Sequence, residues 1–366
     1  MKVKLEDVCE RGTSNLKQSD IAKTSGDYPI YGASGYIGNT NFYHQEKPYV
    51  AVVKDGAGVG RAALYPANSS VIGTMQYLLP KDNVLPKYLF YVVSYMHLEK
   101  YFTGATIPHI YFKDYKNEEF NLDLLERQAE IVEILEKCEK IIEKRKQEIQ
   151  LLDQLIKARF VEMFGNPVLN DKGWEQKSLG EITTKIGSGA TPKGGKEAYQ
   201  EEGITLIRSM NVHNGQFEYK DLAHISDEQA SKLDNVTIEE DDVLLNITGA
   251  SVARSCVVPN EILPARVNQH VCIIRCKDCI IPEFLNKLLI DDNYQDLLWS
   301  IAGSGATRES ITKQQVENLQ IILPMLELQK EFMAFCHQVT KSKVVVQKAL
   351  DETQLLFDSL MQQYFG

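Results

Sequence analysis

The chain contains one long segment twice. Gly104-Ala105-Thr106 recurs as Gly305-Ala306-Thr307, and Phe164-Gly165 recurs as Phe365-Gly366, at a constant offset of 201 residues. The register holds without a gap over 62 positions. The matches in between include Leu125-Glu126, Gln128 and Lys140 with Leu326-Glu327, Gln329 and Lys341. Such a repeat means that the chain is two copies of one structural unit, and any fold must serve both copies.

The region before the shared segment differs between the copies. Leu5 and Val8 correspond to Leu179 and Ile182 at an offset of only 174, so the second copy is longer there by 27 residues. Turn-forming residues at 165–173 mark the join between the copies. We therefore predict a first variable domain at 1–120, a first helix at 121–165, a second variable domain at 166–322 and a second helix at 323–366.

The shared segment has the heptad pattern of a long helix. Between Gln128 and Met163, positions alternately three and four residues apart are apolar in eight of eleven cases, and the second copy gives the same count. No proline interrupts either stretch, so each helix can extend for about 40 residues, or roughly 60 Å. We predict an antiparallel coiled coil with approximate two-fold symmetry. Its seam consists of Ile131, Leu135, Ile142, Ile149, Leu152, Ile156, Phe332, Val339, Val346, Leu350, Phe357 and Leu360. A coiled coil that only dimerises the protein is the alternative.

The two variable domains have short, turn-bounded strands, which indicates mixed α/β folding. The predicted fold class is α/β, with two such domains separated by the two long antiparallel helices in a pseudo-two-fold repeat. In each domain a strand, 49–54 or 242–247, leads into a small-residue turn that ends in Arg61 or Arg254. An arginine in such a place can reach a phosphate or the O6 and N7 atoms of guanine. A hairpin with a solvated arginine is the alternative, but two corresponding copies favour DNA contact.

Other polar residues of the variable domains are weaker candidates for DNA contact. Amide and imidazole side chains such as Gln269 and His270 suit adenine edges, although they equally satisfy loop backbones. Polar residues after the repeated Gly-Ala-Thr can hold a phosphate or cap a helix. The further candidates are Tyr31, Ser34, Tyr36, Lys54, Thr106, His109, Thr191, Lys193, Arg208, Asn211, Thr248, Ser251, Thr307 and Arg308.

The bulk composition limits the classes of function. The formal net charge of −10 argues against tight DNA binding by the chain alone, so a larger complex is expected to supply positive charge. No apolar run approaches the roughly 20 residues of a membrane span, and the first residues lack the apolar core of a secretory signal, so a cytoplasmic location is expected. Seven scattered cysteines indicate reduced thiols.

The motifs of catalytic and metal sites are missing. Cys272, Cys276 and Cys279 lack the second paired motif of a zinc site. The glycine-rich stretch at 189–196 lacks the lysine and the hydroxyl residue of a nucleotide-binding loop in their required places. We therefore expect no catalytic residue, no metal and no cofactor in this chain. A stand-alone enzyme would need an active site that the sequence does not reveal.

The pattern resembles the specificity subunits of type I restriction-modification enzymes over essentially the whole chain. The similar segments are 319–329, Phe164-Gly165-Asn166-Pro167, 170–174, Leu206-Ile207-Arg208 and Asn268-Gln269-His270-Val271. The resemblance implies that each domain reads one half of a bipartite double-stranded DNA site. It also implies that the helices fix the gap and dock two methyltransferase subunits, through which restriction subunits join. Those methyltransferases would bind S-adenosylmethionine and flip the target adenine.

The difference between the two variable domains bears on the DNA target. The 27-residue difference between the domains predicts unlike half-sites and hence an asymmetric target. A coiled-coil scaffold without nucleic acid remains the alternative function, and it would leave Arg61 and Arg254 without a role.

Overall fold

The fold consists of two compact units, each with an α/β domain and parts of both long helices. The computed structural model describes residues 1–21, 25–104, 108–192, 194–303 and 309–366. The first unit comprises Met1–Glu148 with Val345–Gly366, and the second comprises Ile149–Val344. The described α-helices are α1 (Leu5–Val8), α2 (Gln18–Ile21), α3 (Pro86–Tyr95), α4 (Phe112–Tyr115), α5 (Leu125–Phe164), α6 (Asp227–Ser231), α7 (Pro282–Leu289), α8 (Asp292–Gly303), α9 (Lys313–Glu317) and α10 (Leu326–Phe365).

The first unit contains nine strands among its described residues. They are β1 (Lys2–Lys4), β2 (Cys9–Thr13), β3 (Tyr28–Gly32), β4 (Gly35–Thr40), β5 (Tyr49–Val53), β6 (Ala62–Tyr65), β7 (Ser70–Val71), β8 (Met75–Pro80) and β9 (Glu119–Asn121). They form a four-stranded sheet of order β2-β8-β5-β6, a three-stranded sheet of order β4-β3-β7, and the pair β1-β9. Strands β3 and β7 are parallel, and the other pairs are antiparallel.

The second unit repeats this strand order. Its strands are β10 (Gln176–Ser178), β11 (Thr183–Ser188), β12 (Ile204–Ile207), β13 (Val212–His213), β14 (Gln216–Phe217), β15 (Ala223–Ile225), β16 (Val243–Asn246), β17 (Ser255–Val257), β18 (Ala265–Val267), β19 (Val271–Cys276) and β20 (Gln320–Ile322). The sheets are β11-β19-β16-β17, β15-β12-β18 and β10-β20, with an added hairpin β13-β14. The internal repeat therefore extends through the variable domains, which confirms the predicted fold class.

Each domain core includes side chains from the long helices. In the first unit, Ile131 and Leu135 of α5 and Phe365 of α10 lie in the same cluster as Tyr88 of α3. In the second unit, the rings of Phe160 and Phe164 pack against Phe284 and Phe332 with centroids 5.0 to 6.2 Å apart. Because apolar side chains of a helix complete each domain core, helix and domain are expected to fold as one body in each unit.

The two long helices are antiparallel within each unit. In the first unit, Arg145 donates to the carbonyl of Ala349 and to the hydroxyl of Thr353. In the second, Lys343 pairs with Asp153 at 2.7 Å, and Arg159 pairs with Glu331 at 2.8 Å. The residue number rises along one helix as it falls along the other. All twelve seam residues are buried or half-buried.

A buried glutamine joins the first helix to its domain. Gln128 is fully buried, and its side-chain oxygen accepts a hydrogen bond from the backbone N–H of Leu85, which precedes α3, at 2.9 Å. Its amide nitrogen donates to the carbonyls of Asn83 (3.0 Å) and Asp123 (2.9 Å). The residue therefore satisfies one orphan donor at the start of α3 and two loop carbonyls.

Gln329 makes the same set of bonds in the second unit. It is fully buried, accepts from the N–H of Ile281 before α7 at 2.9 Å, and donates to the carbonyls of Cys279 (3.3 Å) and Pro324 (2.8 Å). The sequence pattern placed both glutamines in the helix–helix stripe. Their hydrogen bonds go to the domain instead, and we call the two residues the glutamine latches.

Among the described residues, none of the helices combines the length and the hydropathy of a membrane span. The seven cysteines are all free thiols, five of them buried and two half-buried. Burial raises the pKa of the Cys272 and Cys276 thiols to about 12, so neither is a reactive thiolate near neutral pH. Within the described ranges, no group of three or more His, Cys, Asp or Glu side chains is arranged to hold a metal ion.

Candidate nucleic-acid interface

The two turns that end in an arginine have the same backbone structure. In the second unit, the N–H of Asn246 donates to the carbonyl of Arg254 (2.8 Å), and the N–H of Ala253 donates to the carbonyl of Asn246 (2.9 Å). In the first unit, Val53 donates to Arg61 (2.9 Å) and Gly60 donates to Val53 (2.8 Å). The two sets correspond at a constant offset of 193 residues.

The residue before each arginine has a left-handed backbone. Gly60 has φ of 88° and Ala253 has φ of 71°. A Cβ atom at Gly60 would lie 2.3 Å from the backbone nitrogen of Glu99, so the first turn requires glycine. In the second turn the left-handed conformation of Ala253 raises the free energy of the folded backbone, because its Cβ crowds the following carbonyl oxygen. Strained backbone of this kind is enriched at binding sites.

In the first unit the turn borders a surface pocket of about 540 Å³. The pocket brings together two residues that the sequence singled out, Ser34 and Arg61. It also contains Gln18, Asp55 and Thr74, which the sequence did not indicate. The Arg61 guanidinium donates to the carbonyl of Ala33, so the side chain is held against the pocket wall. The site offers amide, carboxylate, hydroxyl and guanidinium groups, which suit the edges of bases.

In the second unit the corresponding turn borders a pocket of about 330 Å³. Four predicted residues, Thr248, Ser251, Arg254 and His270, line it together. The Thr248 hydroxyl lies 2.6 Å from Nδ1 of His270, so these side chains form a hydrogen-bonded pair. Ser209 and Met210, from the segment after β12, complete the lining.

The pockets occupy the same place in both folds. Each is formed by three segments. The first is the turn after β5 or β16 of the larger sheet, and the second is the segment after β3 or β12, the middle strand of the smaller sheet. The third is the residue before β8 or β19, the last strand of the larger sheet in chain order. That last residue is Thr74 in one unit and His270 in the other. We name them the first and second recognition pockets. Thr74 and Ser209 could not be predicted as pocket residues, because they lie in distant segments of the chain without a local motif.

Several other candidates lie beside the first recognition pocket. The ring of Tyr31 stacks on Tyr65 with centroids 4.3 Å apart, and burial raises the Tyr31 pKa. Tyr36 is 62% exposed and donates to Asn39 at 3.1 Å. Lys54, at the end of β5, is half-buried. The imidazole of His109 is bonded to the carboxylate of Asp55, which lines the pocket.

The four remaining described candidates of the second unit do not line the second recognition pocket. Thr191 and Gln269 are exposed and bonded to each other through their side chains. Asn211, by contrast, is fully buried; it accepts from the N–H of Arg208 at 3.1 Å and donates to Glu218 and Lys220 carbonyls. We therefore withdraw Asn211 as a contact residue, because its polar atoms are used inside its own loop.

Arg208 is half-buried. Its guanidinium donates to the carbonyl of Asp221 and lies 5.5 Å from the ring centroid of Tyr199. Four predicted residues lie outside the described residues: Thr106, Lys193, Thr307 and Arg308.

Comparison with known proteins identifies the family. The model of the type I restriction modification DNA specificity domain matches residues 1–152 and again 171–352. The chain is 24% identical over 307 residues to the type I restriction enzyme MjaIX specificity subunit of Methanocaldococcus jannaschii, covering 78% of this chain and 69% of that protein. It is 22% identical over 338 residues to the putative MjaX specificity subunit of the same organism, covering 86% and 72%.

Two solved structures share the fold. The S subunit of a type I restriction-modification system from M. genitalium superposes with a TM-score of 0.63 at 15% identity, covering 100% of this chain and 96% of that one. A chain from a structure on complex assembly and conformational transition of the type I R-M system gives 0.63 at 17% identity, covering 100% and 97%. The chain therefore belongs to the type I restriction-modification DNA specificity family, and its function is DNA recognition in such a system.

Proposed function

We propose that each α/β domain reads one half of a split DNA site and that this chain performs no catalysis itself. The observation that carries the proposal is the pair of recognition pockets, one in each domain, built on the same strand order and the same hydrogen-bonded turn. Two copies of one reading site on one chain suit a bipartite target.

The half-sites are proposed to differ in sequence. The first pocket presents Gln18, Asp55 and a wall-bound Arg61, whereas the second presents Thr248, His270 and Arg254. Since donors and acceptors on base edges differ among base pairs, unlike pocket linings select unlike bases. The target is therefore asymmetric, in agreement with the difference in length between the two domains.

The long helices are proposed to set the unread gap and to dock two methyltransferase subunits, through which restriction subunits join. Several of their large apolar side chains face solvent. Four of them are 61 to 71% exposed, namely Leu151, Val344, Val345 and Leu355. Apolar side chains left exposed on a helix suit a protein partner. The methyltransferase subunits would bind S-adenosylmethionine and flip the target adenine. This work would take place in the cytoplasm, where the DNA of such a system lies.

The acidic charge gives a direct test of the complex. With a net charge of −10, the chain alone should bind duplex DNA weakly and without sequence preference. Together with its methyltransferase subunit it should bind a specific duplex at least about 1,000-fold more tightly than random sequence. Fluorescence anisotropy with each protein alone and with the complex, at one fixed salt concentration, measures both. Equal specific binding by the chain alone would contradict the dependence on the partner.

A further inference from the structure

The arginines of the two recognition pockets differ in exposure and in hydrogen bonding. The guanidinium of Arg61 is exposed and donates to the carbonyl of Ala33. Arg254 is half-buried, lines the second recognition pocket, and has no side-chain hydrogen bond or ion pair with any residue in the described part of the chain. None of its five N–H donors is used by the described residues, and such donors suit a ligand with acceptor oxygens or nitrogens.

The other walls of the second recognition pocket are of mixed chemistry. The Thr248–His270 pair and Ser251 supply hydroxyl and imidazole groups, while Met210 is 43% exposed and supplies an apolar face. A phosphate group offers only acceptor oxygens. The major-groove edges of base pairs offer donors, acceptors and the thymine methyl group side by side, so the mixed lining fits base edges better than a phosphate.

Two amide side chains, one buried and one half-buried, hold the backbone of the pocket in place. Asn246 is fully buried and donates to the carbonyl of Ser209 at 2.8 Å. Gln295 donates to the carbonyl of Ala253 at 2.9 Å and to that of Leu289 at 2.7 Å. These bonds fix both the segment after β12 and the strained residue before Arg254. A site fixed in advance loses less entropy when its ligand binds.

We propose that Arg254 binds the O6 and N7 atoms of a guanine in the half-site that the second domain reads. The Thr248–His270 pair lies beside that base, and Met210 contacts the edge of the neighbouring base pair. This inference rests on the proposed function and adds to it the identity of one base and the residue that reads it. The corresponding arginine of the first domain differs, because its guanidinium already donates to the carbonyl of Ala33.

The test measures base preference with the complete complex of this chain and its methyltransferase subunit. The wild-type target is first defined by binding to a randomised duplex library. Arg254→Ala should then lose about 10- to 100-fold of the preference for guanine at one position of one half-site, since a bidentate contact contributes about 1–3 kcal/mol of discrimination. Arg254→Lys should keep only part of it, because the lysine ammonium lacks the planar fork of the guanidinium. Lys232→Ala is the matched control: it removes an exposed positive charge of the same unit outside the pocket and should leave the base preference unchanged.

Two results would overturn the assignment. If Arg254→Ala weakened binding equally for every sequence and reduced the salt dependence, while Arg254→Lys restored both, Arg254 would contact a phosphate. If neither variant changed affinity or preference, the pocket would not contact DNA. Arg254 has no side-chain partner among the described residues, so both variants should unfold with the wild-type midpoint. A wild-type complex without any sequence preference would instead contradict the proposed function itself.

Discussion

Removing one heptad from each long helix, residues 146–152 and 344–350, is expected to abolish methylation of the native site. Seven residues shorten a helix by about 10 Å, which corresponds to about three base pairs at 3.4 Å each. Both half-sites can then no longer be bound at once on the native spacing. Loss of simultaneous binding lowers overall affinity by about 100-fold or more. Removal of whole heptads preserves the apolar seam, so the helices should still pair.

The surviving activity should fall on sites with the same half-site sequences and a gap about three base pairs shorter. It should be slower than native, because three base pairs also turn one half-site by about 100° around the duplex, at about 10.5 base pairs per turn. The control keeps the helix length and replaces exposed residues of the same heptads, Lys146→Ala with Gln347→Ala. Methylation of the native gap at the native rate by the shortened chain would show that the helices do not set the spacing.

Replacing either glutamine latch by alanine is expected to lower the free energy of unfolding by about 2–3 kcal/mol, since three backbone groups, most of them half-buried, lose a fully buried partner at once. Gln128 supports the first unit and Gln329 the second. The control is Gln147→Ala on the same helix as Gln128; its side chain is exposed, and the change should cost less than about 0.5 kcal/mol.

Spectroscopy can separate the two latches. Both tryptophans, Trp174 and Trp299, lie in the second unit, so fluorescence reports that unit and far-UV circular dichroism reports both. In urea, Gln329→Ala should shift the fluorescence transition, and Gln128→Ala should shift the circular dichroism transition more than the fluorescence transition. Two alanine variants with wild-type transitions would mean that water replaces the glutamine and that the latches do not stabilise the units.

The repeat and the long helices could be predicted from sequence because both leave local signals. A heptad stripe shows which residues share a helix face, but not what that face contacts. This is why Gln128 and Gln329 fell within the predicted stripe although they bond to the loops before α3 and α7. The shared strand order was hidden, because the offset between the copies changes from 174 to 193 to 201 along the chain.

The recognition pockets were predicted only in part, for the same reason. Arg61, Arg254 and Ser251 follow from the turn motif, which is continuous in sequence. Thr74, Ser209 and Met210 reach the pockets through long-range strand pairing, which no spacing rule reveals. Asn211 has a side chain that suits adenine, but it is buried and hydrogen-bonded to the backbone of its own loop. The tertiary fold determines that burial.

The most direct measurement is to co-express this chain with its methyltransferase subunit and map the methylated bases across the host DNA, with each protein expressed alone as a control. We expect methylation only when both are present, at a single motif made of two different half-sites separated by a fixed unread gap. A palindromic or continuous motif, or methylation by the methyltransferase without this chain, would contradict it.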